Sequence, residues 1–146
     1  MKICIIGSGY VGLVSGACFS DLGNTVTCVD INREIIEKLN KGIIPIYEPG
    51  LQELVVRNLK KKRLLFTTDI SSSIKKSDII FICVGTPTKN NKADLKYVFN
   101  VTKSIKSNLN RYKIIVTKST VPVTTGDKIQ KILKSNKNKN KFDVVS

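Results

Sequence analysis

The stretch that decides the fold is Lys2-Ile3-Cys4-Ile5-Ile6-Gly7-Ser8-Gly9-Tyr10-Val11-Gly12, at the start of a 146-residue sequence. Its first half is an apolar run typical of a buried parallel strand, and its second half has the pattern G-x-G-x-x-G. A helical stretch follows to Leu22, and a second β-rich run, residues 25–29, ends at Asp30. The order of strand, glycine turn, helix and strand predicts a βαβ unit.

The three glycines and Asp30 have the spacing of a dinucleotide site. Gly7 permits a sharp turn out of the strand, Gly9 lets a pyrophosphate approach the backbone, and Gly12 lets the helix lie close to the sheet. The helix amino terminus then favours a phosphate. Asp30, 18 residues after Gly12, would bind ribose hydroxyls and repel a 2′-phosphate, so NAD is expected rather than NADP. The alternative is a structural glycine turn in an α/β domain that binds no nucleotide.

Strand-like and helix-like segments alternate along the rest of the chain, which predicts an α/β fold: a Rossmann-type doubly wound parallel sheet in a three-layer α/β/α arrangement. The predicted strands cover residues 2–6, 25–29, 64–67, 79–84, 114–117 and 142–145. The helices between them are expected to be capped by polar residues, including Asn32, Asp94 and either Thr124 or Thr125. Residues 89–93 are expected to be a flexible loop and residues 135–141 a solvated turn.

Composition excludes several classes of protein. Hydrophobic residues make up 41% of the chain, enough for the core of one domain, but no apolar run approaches the roughly 18 residues of a membrane span. The net charge of +14 comes from dispersed lysines without interleaved aromatic residues, so no nucleic-acid partner is expected.

The cysteines and the lack of histidine limit the chemistry. Cys4, Cys18, Cys28 and Cys83 form no C-x-x-C pair and are interpreted as small buried hydrophobes in a reducing cytoplasm, where the protein is expected to reside. Without any histidine, histidine-based catalysis is excluded, and no metal site is expected.

Two further loops are predicted at the edge of the sheet where the strands end, which is where ligands bind in doubly wound folds. In residues 85–88, a glycine permits close backbone approach and Thr86 offers a hydroxyl. In residues 118–123, a lysine is followed by two hydroxyl residues, the second of which is Thr120. Each loop could instead be a strand-end turn whose polar groups are satisfied internally.

The motifs resemble the NAD-binding domain of the UDP-glucose/GDP-mannose dehydrogenase family. They are G-S-G-Y-V-G-L at 7–13, P-I-Y-E-P-G-L at 45–51, V-G-T-P at 84–87 and K-S-T-V-P at 118–122. The second is the most family-specific, because generic Rossmann domains lack it. The resemblance covers essentially the whole chain. It implies that residues 1–146 are one NAD-binding Rossmann domain, a fragment of a longer enzyme whose central and C-terminal UDP-binding domains are absent.

The resemblance also implies a reaction: oxidation of UDP-glucose to UDP-glucuronate with two NAD, through a cysteine outside this chain that holds the aldehyde as a thiohemiacetal. By the same resemblance, Tyr10, Val11, Asp30, Thr86 and Thr120 are expected to join the glycines at NAD, and Thr120 is the expected catalytic residue, positioning water. The complete enzyme is expected to be a homodimer or a higher oligomer.

The sequence departs from the family at two positions and leaves alternatives open. Ile35 stands where the family often has a lysine or arginine, with Arg33 nearby, and Thr124 stands where it often has glycine. Cys83 is the nearest alternative nucleophile within the chain, although a buried thiol has a raised pKa and is inert. The alternative functions are the cofactor domain of a related GDP-mannose or UDP-N-acetylhexosamine dehydrogenase, or a non-catalytic NAD-binding module.

Overall fold

The computed structural model describes residues 1–89, 91–134 and 141–146. The strands are β1 (Lys2–Ile6), β2 (Thr25–Val29), β3 (Leu64–Thr67), β4 (Ile79–Ile82), β5 (Thr88–Lys89), β6 (Lys92–Ala93), β7 (Lys113–Thr117) and β8 (Phe142–Val145). The helices are α1 (Tyr10–Asp21), α2 (Arg33–Asn40), α3 (Leu51–Lys60), α4 (Ile70–Lys76), α5 (Lys96–Asn108) and α6 (Thr125–Leu133).

Six strands form one parallel sheet in the order β3-β2-β1-β4-β7-β8. The chain builds outward from β1 to β3 and then crosses to β4 on the other side of β1, which leaves a crevice where the strand order reverses. Ile6 of β1 lies beside Val29 of β2 and Ile82 of β4. Because the three strands end level, the loops that follow them meet at one edge.

Helices cover both faces of the sheet. Ile3 and Ile5 of β1 pack into a core with residues of α1, α2 and α3, while Cys4 and Ile6 pack into a second core with residues of α4, α5 and α6. A strand that is covered on both faces needs apolar side chains at consecutive positions, as β1 has. The predicted three-layer, doubly wound Rossmann-type fold is therefore confirmed.

Glycine brings α1 close to the sheet. Gly7 has a φ of +105°, and a Cβ on it would lie 2.6 Å from the carbonyl oxygen of Cys83. A Cβ on Gly12 would lie 1.9 Å from the carbonyl oxygen of Gly7, and one on Gly16 would lie 2.5 Å from the Sγ of Cys28. The fold itself therefore requires these three glycines to lack a side chain.

Residues 89–93 were predicted to form a loop, and in this respect the prediction is wrong. Strands β5 and β6 pair antiparallel there, and Asn91 has a φ of +57°, a conformation that asparagine tolerates in tight turns. The backbone N–H of Asp94 donates to the carbonyl of Pro87 and closes this hairpin. Leu95 stands at the N-cap position of α5 and makes no side-chain cap bond, whereas the carboxylate of Asp94 accepts from the N–H of Lys96, the first residue of the helix. Asp94 therefore supplies the side-chain cap as predicted, from one residue before the N-cap position.

Neither threonine predicted to cap α6 does so with its side chain. Thr124 precedes the helix with a φ of +78°, and the hydroxyl of Thr125 donates to the carbonyl of Pro122. A β-branched residue is strained at positive φ, so a glycine suits this position better. The cap predicted at Asn32 is confirmed, because its side chain accepts from the N–H of Ile35.

Three of the four cysteines are buried as predicted, but Cys18 is exposed. It follows the buried Gly16 and Ala17 on α1. Because successive helical side chains differ in direction by about 100°, the side chain of Cys18 points away from the buried stripe.

Within the described ranges, no helix is long and apolar enough to cross a membrane. The solvated turn predicted for residues 135–141 lies, apart from Lys141, outside the described residues.

The close approach at Gly12 gives a stability test with a control in the same loop. Gly12→Ala is expected to lower the free energy of unfolding by about 1–3 kcal/mol, because the added Cβ overpacks the loop. Gly9→Ala adds a Cβ that meets nothing within 4 Å and should change it by less than about 1 kcal/mol. Urea unfolding followed by circular dichroism measures both, and equal losses would contradict this account of Gly12.

Candidate functional site

The candidate site is the crevice between β1 and β4. A cleft of about 550 Å³ opens there, and Gly7, Gly9, Asp30 and Gly85 form part of its wall. A Cβ on Gly9 or Gly85 would meet nothing within 4 Å, and neither residue has a positive φ. The fold does not need glycine at these two positions, so the space that they leave open is available to a ligand.

The amino terminus of α1 faces this space. Gly9 is the N-cap of α1 and has no side chain with which to cap it. The N–H groups of the first turn, which begins with Tyr10, Val11 and Gly12, therefore keep their capacity for an outside acceptor. Together with the helix dipole, they favour an anionic group such as a phosphate.

Asp30 joins the glycine turn to the end of β2. Its Oδ2 accepts from the backbone N–H of Ser8 at 2.8 Å, and its Oδ1 accepts from the N–H of Asn32 at 3.0 Å. A carboxylate oxygen has a further lone pair, so each can still accept from a hydroxyl group. The half-buried carboxylate thus offers the cleft a negative charge and two acceptors, the groups that a ribose with free hydroxyls requires.

An apolar wall beyond Asp30 was not predicted. Ile31 is 90% exposed and lines the cleft with Ile70 of α4 and with Tyr97 and Val101 of α5. Residues 97, 101 and 104 recur at helical spacing and form a second stripe of α5, beside the stripe that is buried against the sheet. An exposed apolar wall beside a carboxylate suits a flat ring attached to a sugar.

The loops after β4 and β7 are joined by hydrogen bonds. The hydroxyl of Thr86 donates to the carbonyl of Thr120 at 2.9 Å, and that of Ser119 donates to the carbonyl of Val84 at 2.7 Å. Because the hydroxyl proton of Thr86 is used, its oxygen can only accept from a ligand. Thr86 and the exposed Thr120 lie on loops beside the cleft rather than in its wall.

Tyr10 makes a contact that the sequence did not predict. Its hydroxyl donates to Oε2 of Glu48 at 2.7 Å, across 38 residues. This hydrogen bond, reinforced by the negative charge of Glu48, raises the pKa of Tyr10 above its ordinary value. The bond ties the start of α1 to the segment of residues 43–50 that precedes α3.

Cys83 is the only cysteine that lines the cleft among the residues described. Burial raises the pKa of its thiol to about 11, although the charge of Lys118 offsets part of the effect. Burial likewise raises the pKa of the Cys4 thiol to about 12. Because the thiolate is the reactive form, Cys83 is not an activated nucleophile at neutral pH.

Comparisons with known proteins agree with this geometry. The family model described as the UDP-glucose/GDP-mannose dehydrogenase family, NAD binding domain, matches residues 1–146. UDP-glucose 6-dehydrogenase TuaD of Bacillus subtilis is 56% identical over 147 residues, 99% of this chain and 32% of its own length. The UDP-glucose 6-dehydrogenase of Rhizobium meliloti is 50% identical over 92% of this chain and 31% of its own length. The chain thus spans about a third of these relatives.

Solved structures of the same kind share the fold. GDP-mannose dehydrogenase from Pseudomonas aeruginosa superposes with a TM-score of 0.92 at 36% identity, over 99% of this chain and 35% of that one. A UDP-glucose dehydrogenase from Pyrobaculum islandicum gives 0.91 at 35% identity, over 97% and 34%. The chain therefore belongs to the UDP-glucose/GDP-mannose dehydrogenase family, of which it forms the NAD-binding domain.

Proposed function

We propose that residues 1–146 are the NAD-binding Rossmann domain of a larger dehydrogenase that oxidises UDP-glucose to UDP-glucuronate. The proposal that NAD binds here rests on one observation, the cleft where the strand order reverses. Asp30 lines this cleft beside the amino terminus of α1, with two glycines, Gly9 and Gly85, that packing does not require. We propose UDP-glucose as the substrate because the two bacterial UDP-glucose 6-dehydrogenases, at 56% and 50% identity, are more similar to this chain in sequence than the GDP-mannose dehydrogenase is, at 36%. A GDP-mannose or UDP-N-acetylhexosamine substrate and a non-catalytic module are the alternatives.

Each residue of the site has a proposed role. Gly7, Gly9 and Gly12, with the first amides of α1 at Tyr10 and Val11, hold the pyrophosphate, and Asp30 holds the adenosine ribose. The apolar wall beyond Asp30 packs against the adenine. When bound, NAD supplies the hydride acceptor. Thr86 and Thr120, on the joined loops, flank the nicotinamide end, and Thr120 positions the hydrolytic water.

The nucleophile comes from outside these residues in this proposal. The Cys83 thiol is held protonated by burial, so the described residues offer no activated thiol beside the cleft to retain an aldehyde between two oxidations. A complete enzyme, about three times as long as this chain by comparison with its relatives, would supply it, together with the walls that close on the sugar. We propose that this enzyme is a homodimer or larger. Its cytoplasmic location stays a prediction.

The open space at Gly9 gives the first test. Gly9→Val is expected to abolish NAD binding, because the branched side chain occupies the space through which the pyrophosphate approaches the backbone. The fold should persist, since a Cβ at this position meets nothing within 4 Å. Calorimetric titration with NAD measures binding, and circular dichroism checks the fold. A folded variant that binds NAD normally would show that the phosphate loop is assigned wrongly.

The second test concerns turnover. The chain alone is expected to form no NADH from UDP-glucose and NAD, because the nucleophile and the sugar-closing wall are missing. A chimera in which this chain replaces the matching third of Bacillus subtilis TuaD should form two NADH per UDP-glucose. Absorbance of the reduced nicotinamide reports both. Turnover by the chain alone that disappears in Cys83→Ser, or a folded chimera that binds NAD but lacks activity, would contradict the proposal.

A further inference from the structure

The segment between α2 and α3, residues 43–50, is ordered without being a helix or a strand. Ile44 and Ile46 pack against the core on one face of the sheet. The N–H of Leu51 donates to the carbonyl of Glu48 at 3.1 Å, and Gly50 has φ and ψ of 77° and −12°. Proline followed by glycine at positive φ is the signature of a type II turn, so residues 48–51 form a rigid corner with Glu48 at its start.

This corner places a carboxylate at the start of α1. Oε2 of Glu48 accepts the hydrogen bond of the Tyr10 hydroxyl at 2.7 Å. Tyr10 is the first residue of α1 and directly follows Gly9, which lines the cleft. Its side chain is 54% exposed, so core packing restrains the ring only in part. The bond to Glu48 therefore adds a restraint on where the Tyr10 ring lies.

We propose that Glu48 is a positioning residue for the cofactor: by holding the Tyr10 hydroxyl, it fixes the ring at the rim of the phosphate loop before the dinucleotide arrives. This inference rests on the proposed NAD site. Binding immobilises side chains at a cost in conformational entropy, and a side chain that is already fixed avoids much of that cost. The corner of residues 48–51 thereby contributes to cofactor affinity without contacting the cofactor.

The contact can be isolated with a double-mutant cycle on this chain. Glu48→Ala and Tyr10→Phe are each expected to weaken NAD binding about 3- to 10-fold, and the double variant should be no weaker than either single one. Glu48→Gln keeps a carbonyl oxygen that accepts from Tyr10, so its affinity should stay within about 2-fold of the unmodified chain. Glu53→Ala, which removes an exposed carboxylate from the first turn of α3, is the matched control and should bind normally.

Calorimetry with NAD gives the affinities, and urea midpoints show whether the variants are equally stable. A spectroscopic check uses tyrosine labelled at the ring carbon that bears the hydroxyl: in Glu48→Ala the pKa of Tyr10 should fall toward its ordinary value. Unchanged affinity in Glu48→Ala, or losses that add in the double variant, would overturn the proposal while leaving the NAD site intact. Failure of the unmodified chain to bind NAD would overturn the proposed function and this inference together.

Discussion

A single hydrogen-bonded carboxylate connects the parts of this site. Asp30 closes the end of β2 onto the glycine turn by accepting from the N–H of Ser8, and the N–H of Gly7 in turn donates to the carbonyl of Val29. These two bonds hold the ends of β1 and β2 together at the edge where the strand order reverses. The same carboxylate keeps acceptors free for hydroxyl groups. The group that shapes the loop is thus also the group that would recognise the ribose.

The glycines divide into two kinds, and the division separates stability from binding. Gly7 and Gly12 have no room for a Cβ, because backbone carbonyls lie within 2.6 Å and 1.9 Å of its position. Gly9 and Gly85 have room for a Cβ, so packing does not require a glycine there, and the open space is compatible with the close approach of a ligand. A motif of the form G-x-G-x-x-G therefore combines a packing requirement with open space for a ligand. The structure shows at which glycines packing forbids a side chain, and the pattern alone does not.

Apolar runs and their alternation with helical patterns were enough to predict the sheet and its layers, because burial on both faces leaves continuous apolar strands. The G-x-G-x-x-G motif predicted the turn. Sequence patterns did not predict features that depend on contacts between distant segments of the chain. Lys113 is fully buried at the start of β7, and its Nζ donates to the carbonyl of Ser77, the residue directly after α4, at 2.5 Å. Burial lowers the pKa of Lys113. The positive φ of Thr124, the exposure of Cys18 and the cleft-lining face of Tyr97 likewise depend on how neighbouring elements pack, and local propensity carries no record of that packing.

Calorimetric titration of the chain with NAD and with NADP, repeated on Asp30→Asn, shows whether Asp30 makes this cleft a site for NAD. The amide oxygen can still accept from the N–H of Ser8, but the amide nitrogen cannot accept from the N–H of Asn32, so the variant loses that one loop bond together with the charge, and circular dichroism checks that it remains folded. The unmodified chain is expected to bind NAD more tightly than NADP. The variant is expected to lose roughly 1.5–3 kcal/mol of NAD affinity and to show a smaller preference between the two cofactors. Equal affinity for both cofactors, or tighter binding of NADP by the unmodified chain, would contradict it.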